Sequence, residues 1–262
     1  MRAVWSDASS GDLRPQDPSP NGATSLGNWA GSLTTGGDRV TGGGVPSVVR
    51  TVHWIRQVHG SGVVLVSGAG PAVGSGARSM TDPGPSVMPV FAGTGDALVA
   101  AAPSVALAVL TADCAPVALG SPEGVFAAVH AGWRGLVAGV IARAVTDMRT
   151  LGATEVVGAL GPCIHAGCYE FGEDDLARTA AALGPGCRSR TVDGRPALDL
   201  PAAVSSALAS CGVAEVQGVD RCTACAEGYF SHRRRADVGR QALLVWSGSG
   251  PQAAPSPRPL RR

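Results

Sequence analysis

Cys114 and His130 stand 16 residues apart, each at the end of an apolar run. Val105-Ala106-Leu107-Ala108-Val109-Leu110 leads through Thr111-Ala112-Asp113 into Cys114. Val125-Phe126-Ala127-Ala128-Val129 leads into His130-Ala131-Gly132-Trp133-Arg134-Gly135. His59 lies upstream in Gln57-Val58-His59-Gly60, just before Val63-Val64-Leu65-Val66. Two imidazoles and one thiol match a catalytic zinc site, in which three protein ligands leave a fourth position for water or substrate. Zinc requires a thiolate and neutral imidazoles, and it lowers the pKa of bound water towards about 7. Spacing alone leaves two further readings open. Cys114 can be a nucleophile with His130 as its base, which demands contact between them. Otherwise Cys114 is a buried core thiol and each histidine a satisfied structural residue.

A second group of candidates lies near the C-terminal end. Cys222-Thr223-Ala224-Cys225 is a CxxC motif, and Cys163 and Cys168 form another near pair. Together they have the composition of a four-cysteine structural zinc site. A redox role for CxxC calls for a thioredoxin-like βαβ setting, which is absent here. The segment Tyr229-Phe230-Ser231-His232-Arg233-Arg234-Arg235 is either a solvated basic turn or an anion clamp beside a stacking ring.

The elements that must position these residues are short. The runs ahead of Cys114 and His130 are partly β-branched and bounded by Pro, Gly or Asp, the pattern of buried strands. Asp96-Ala97-Leu98-Val99-Ala100, Val156 to Leu160, Val213 to Val219 and Ala242 to Trp246 read as further strands. After His130 the period changes. Val137, Val140, Ile141, Ala144, Val145 and Met148 follow helical spacing, with Leu151-Gly152 as the stop. Trp133-Arg134-Gly135 then sits at the turn that opens the helix, where free N–H groups favour anions. Glu173-Asp174-Asp175 starts another helix that ends at Gly184, and Asp199-Leu200-Pro201 starts one running to about Ser210.

Residues 1–48 are Gly-, Ser-, Pro- and Thr-rich and read as loops, short strands or disorder, and Gly68 to Gly95 as a long surface loop. Residues 247–262 read as a disordered tail. No repeat and no linker divides residues 49–246. Mixed strand and helix without strict alternation predicts one α+β domain with mixed sheets flanked by helices.

Composition narrows the function classes. At 262 residues the chain can bury a sizeable core. A net charge of +1 gives no reason to expect a nucleic-acid or membrane partner, and no apolar run approaches a bilayer span. The N-terminus carries no apolar signal region, so the expected compartment is the cytoplasm. All 21 basic residues are Arg. That excludes a Schiff-base lysine and a P-loop, and leaves bound phosphate to arginines or backbone N–H groups. Seven cysteines in such a chain argue for free thiols over a disulfide framework.

Taken together, these segments resemble the laccase-domain or YfiH-like family, whose members are variously described as polyphenol oxidases, purine nucleoside phosphorylases and peptidoglycan editing factors. The resemblance rests on Gln57 to Gly60, Gly95 to Val99, Thr111-Ala112-Asp113-Cys114-Ala115-Pro116-Val117 and Val129 to Gly135. It continues through Gly161-Pro162-Cys163-Ile164, Tyr169 to Gly172, Asp220 to Thr223, Phe230 to Arg234 and Gly239-Arg240. It implies a YfiH-like fold and zinc held by His59, Cys114 and His130. It further implies phosphorolysis of adenosine, inosine, guanosine and methylthioadenosine, and deamination of adenosine. The partners are then purine nucleosides and phosphate, with the chain a monomer or small homo-oligomer. Metal-activated water is suited to attack at C6 of adenine. Phosphate at the ribose C1′ needs cationic donors, for which Arg134 and then Arg233 are our own candidates. Asp113, beside a ligand, is a candidate to orient a histidine or relay a proton, or else a structural cap.

The chain departs from the family pattern at its N-terminal end. Gly31-Ser32-Leu33-Thr34-Thr35 and Gly37-Asp38 are all that matches the usual opening, with Thr34 where Asn is expected. Either Arg39 or Arg50 fills the family's arginine position. The usual Tyr-Arg-Arg-Asp is His232-Arg233-Arg234-Arg235, without its acid. Three other functions stand beside the phosphorylase. One is a Cys114-dependent amidase acting on peptidoglycan precursors, and another is an adaptor that kept the fold without catalysis. Copper phenol oxidation ranks last, because five histidines are too few for several copper centres.

Overall fold

The apolar runs that frame Cys114 and His130 become strands of two stacked sheets. The computed structural model describes residues 1–6, 49–68, 87–216 and 218–247. In chain order the strands are β1 (Arg2–Trp5), β2 (Thr51–Arg56), β3 (Val63–Val66), β4 (Met88–Thr94), β5 (Ala97–Ala100), β6 (Val105–Thr111), β7 (Ala115–Gly120), β8 (Phe126–Ala131), β9 (Val157–Leu160), β10 (Arg188–Arg190), β11 (Pro196–Leu198), β12 (Ala214–Glu215) and β13 (Gln241–Trp246). One sheet has the order β1-β13-β6-β2-β4 and the other β12-β9-β7-β8-β5-β3, while β10 and β11 form a separate hairpin. Both large sheets are mixed: β2 runs parallel to β4 and β6, and β3 parallel to β5, whereas β6–β13 and β7–β8 are antiparallel.

Strand alternation assigns the faces. Val105, Leu107 and Val109 of β6 point between the sheets with Ile55, Leu243 and Val245, and meet Leu98, Phe126 and Ala128 of the other sheet. Ala106 and Ala108 point the opposite way, to a cluster with Trp54, Leu244 and Trp246. The far face of the second sheet presents Val99, Val117, Leu119 and Val129 to the helices. These are α1 (Trp133–Val137), α2 (Val140–Thr150), α3 (Glu173–Leu183) and α4 (Leu200–Ser210), while the short α5 (His232–Arg235) gives no residue to this core. The result is a single α+β domain of three layers, sheet on sheet on helices.

The helices follow their sequence signals. Val140, Ile141, Ala144, Val145 and Met148 are the buried stripe of α2. Gly139, at φ 82°, separates α2 from the single turn of α1. Three acids open α3, and Asp199 caps α4 by accepting from the Ala202 N–H at 2.9 Å.

Two expectations are corrected. The stretch from Gly68 to Gly95 is not all loop, since Met88–Thr94 forms β4. β4 is an edge strand, where Pro89 costs no ladder hydrogen bond that a neighbour needs. Its register with β2 shifts between Trp54 and Ile55, leaving Ala92 as the extra residue, and Gly93 beside it takes φ 128°. The run from Val213 to Val219 yields only Ala214–Glu215 as strand. Its N–H groups pair along β9, from Ala214 to Val156, Val216 to Gly158 and Val219 to Leu160, so the spacing slips after Val216. Gly218 lies so near the Leu160 main chain that a Cβ would fall 2.0 Å from its carbonyl oxygen. The expectations for 7–48, including Gly31 to Thr35, Gly37-Asp38 and Arg39, for 69–86 and for 248–262 lie outside the described residues.

Candidate functional site

Two of the three candidate ligands lie where the chain crosses from one sheet to the other. His59 is in the β2–β3 connection, Cys114 in the turn from β6 to β7, and His130 near the end of β8. One ligand atom from each lies within 4.8 Å of the others. The two imidazoles meet edge to face, with ring centroids 4.8 Å apart. Gly132 leaves room for them. A Cβ there would lie 3.1 Å from both Cys114 Sγ and His59 Cδ2.

The main anchor of this arrangement is Asp96, a residue to which sequence reasoning gave no role. Its carboxylate is fully buried and accepts from the N–H groups of Val58 at 3.1 Å, His59 at 2.8 Å and Gly60 at 2.6 Å. It also lies 2.9 Å from Nδ1 of His130. With Nδ1 donating to the carboxylate, Nε2 is the ring nitrogen left for a ligand role. Burial pushes the Asp96 carboxyl up, but the His130 bond and the N–H donors outweigh it and hold it below the ordinary range. Gln57 ties the same loop to β6, donating to the Leu110 carbonyl at 2.7 Å and accepting from its N–H at 2.8 Å.

Charge is concentrated at the cluster. Burial pushes the Cys114 thiol up, yet the charge and hydrogen bond of His130, then of His59, bring it down to about 6. Burial pushes His130 down, while the Cys114 charge and the Asp96 hydrogen bond lift it to about 9. The pair therefore favours thiolate, the form of cysteine that binds metal or attacks carbon. A thiolate and two imidazoles, one oriented by a carboxylate, are a donor set suited to zinc.

The other candidates separate. Asp113, at φ 92°, turns its carboxylate to Thr223 Oγ1 at 2.7 Å and to the Arg233 N–H at 2.6 Å. It clamps two distant segments and caps the start of α5. Arg233 places its guanidinium 5.1 Å from the Tyr169 ring centroid, at the edge of the cavity. Arg134 is exposed, lies over the ring of its neighbour Trp133 at 4.5 Å, and does not line that cavity. Of the two phosphate candidates, only Arg233 reaches the ligand cluster's cavity. The four cysteines whose composition would suit a structural site do not gather as one group. Cys168, Cys222 and Cys225 come together, while Cys163 lies buried in the helix-side core outside that group.

The cavity has a volume of about 850 Å³. His59, Cys114 and His130 line it together with Trp54, Phe91, Tyr169 and Arg233. Trp54 and Phe91 pack at 4.8 Å between centroids and offer it an aromatic wall. Its size falls within the range of small-molecule sites.

Fold and site define an α+β domain with a thiol–bis-imidazole cluster in a ligand-sized cavity. The family described as multi-copper polyphenol oxidoreductase laccase matches residues 44–248, and the chain belongs to it. It is 41% identical over 198 residues to purine nucleoside phosphorylase ORF3 of Streptomyces griseus, across 74% of each chain. YlmD from Geobacillus stearothermophilus superposes with a TM-score of 0.59 and 30% identity, over 75% of this chain and 74% of that one. YfiH from Bacillus licheniformis, at 19% identity, shares the fold with a TM-score of 0.62 over 90% of this chain and 84% of its own. Among the described residues no helix is long and apolar enough to cross a membrane.

Proposed function

We propose that this chain is a zinc-dependent purine nucleoside phosphorylase, acting on adenosine, inosine, guanosine and methylthioadenosine, which also deaminates adenosine. The name of the Streptomyces griseus relative supports the phosphorylase class. The observation that carries the reading is one cavity holding His59, Cys114 and His130, the Trp54–Phe91 wall and Arg233. His59, Cys114 and His130 are the ligands that would hold zinc. When bound, the metal supplies Lewis acidity and an activated water, which deamination at C6 requires. The chain's own residues do the rest. The Trp54–Phe91 wall takes a purine face, and Arg233 takes phosphate near the ribose. Asp96 fixes the His59 loop and the His130 ring. Asp113 acts as a positioning residue, because both carboxylate oxygens are engaged in holding Thr223 and Arg233.

One further reading has an observation of its own. Cys114, His130 and Asp96 form a thiol–imidazole–carboxylate line, the arrangement that a cysteine hydrolase acting on an amide uses. Copper phenol oxidation finds less support. Among the described residues only His59 and His130 of the histidines join a donor cluster.

A single experiment separates them. Adenosine is incubated with the protein, with and without phosphate, before and after chelation. Phosphate-dependent adenine and ribose-1-phosphate, phosphate-independent inosine, and loss of both on chelation are expected. An N-acyl amide substrate is run in parallel, and its hydrolysis surviving chelation but disappearing in Cys114→Ala, with no turnover of adenosine, would transfer the site to the thiol reading.

A further inference from the structure

Cys168, Cys222 and Cys225 are brought together from two turns remote in sequence, with their sulfurs within 4.8 Å of one another. Cys168 ends a single 3₁₀ turn, Ala166–Cys168, and Cys222 and Cys225 span another turn at CxxC spacing. The two segments are joined by main-chain pairing, with the Cys163 N–H donating to Arg221 and the Thr223 N–H donating to the Cys163 carbonyl. The His165 N–H donates to Cys222 Sγ at 3.4 Å, a further tie between the two turns. The thiols border a second cavity, of about 680 Å³, on the far side of Arg233 from the cluster of His59, Cys114 and His130. That cavity leaves room for a fourth ligand from solvent.

We propose that Cys168, Cys222 and Cys225 form a second metal site, a three-thiolate centre for one zinc ion that fastens the two turns together. Thiolates select zinc among the common divalent ions, and a CxxC pair completed from a remote segment is a usual structural layout. Binding replaces each remaining S–H bond by a metal–sulfur bond and releases the proton to solvent. The consequence reaches the first cavity. Thr223, between the two cysteines of the motif, donates to Asp113, and Tyr169, next to Cys168, lies beneath Arg233. The centre would hold the wall that presents Arg233.

The inference is independent of the proposed activity, so its test reads metal and not turnover. The full chain carrying Cys114→Ala, or His59→Ala should that one fail to fold, is reduced, stripped by chelation and titrated with Zn²⁺ under native mass spectrometry, then with Co²⁺ in the absence of oxygen. One equivalent of zinc, a thiolate-to-cobalt charge-transfer band and a rise in Tm on loading are expected. Adding Cys168→Ser or Cys225→Ser should abolish the band and the equivalent while circular dichroism shows the fold retained. A Cys114→Ala chain that takes up no zinc would overturn the proposal. So would a cobalt band that persists without Cys168 and Cys225, or a Cys222–Cys225 disulfide that resists reduction in the folded protein.

Discussion

Asp96 serves both histidines at once. His59 has a left-handed backbone, φ 60°, which a residue with a side chain adopts only when its surroundings hold it there. Three consecutive N–H groups donated to one buried carboxylate supply that hold, and the same carboxylate orients His130. Asp96→Ala should therefore disturb two of the three proposed ligands without replacing any of them. Metal affinity is expected to fall by about 10- to 100-fold, the usual cost of losing a ligand's outer partner. Asp96→Asn, which keeps one oxygen for the His59 loop, should lose less. Equilibrium dialysis against Zn²⁺ on the folded variants measures this, and unchanged affinity in Asp96→Ala would remove Asp96 from the site. His59, Cys114 and His130 are legible in the sequence because their types announce metal or nucleophile chemistry. Asp96 is not, and Asp113 is legible only as a candidate with its role open, because a carboxylate's role lies in its partners. Those of Asp96 are 34 to 38 residues away and those of Asp113 are 110 and 120.

Among the elements, those with one strong periodicity are the ones readable in advance. The unbroken apolar runs of β6 and β8 and the buried stripe of α2 need no tertiary information. β4 does, because Pro89 and Gly93 read as loop until the strand is known to be at an edge with a bulge just before Gly93. β2 carries a polar residue that pattern does not place. His53 is buried there, with Nε2 3.0 Å from Thr51 Oγ1, and burial holds it below its ordinary value of 6.5. The unfolded chain takes up a proton near that value, and the folded chain only at lower pH. The stability contributed by neutral His53 is thus present above about pH 6.5 and is lost as the pH falls through the folded value, with a slope of up to about 1.4 kcal/mol per pH unit. Urea denaturation at a series of pH values should show a shallower acid limb for His53→Gln than for the parent. Parallel limbs would mean that His53 contributes nothing to the acid sensitivity.

At the scale of the whole molecule, the site depends on how the sheets are stacked, because the His59 and Cys114 loops are connections between them. Mixed strand order was enough to indicate an α+β domain. The pairing of β6 with β2 and β13 is a long-range fact that no local pattern contains. This architecture separates two phenylalanines of identical chemistry. Phe126 is 1% exposed and fills the space between the sheets, whereas Phe91 is 44% exposed and faces the cavity. Phe126→Ala leaves a void that the strands cannot collapse around, and should cost about 3–5 kcal/mol of unfolding free energy. Phe91→Ala removes little buried surface and should change stability by less than about 1 kcal/mol. Its effect belongs to the substrate. Losing one aromatic face from a stacked base is worth about 1–3 kcal/mol, so under the proposed function KM for adenosine should rise roughly tenfold with kcat little changed. Denaturant melts and initial rates on the two variants give the comparison directly. If Phe91→Ala leaves KM unaltered, the base does not rest on the Trp54–Phe91 wall.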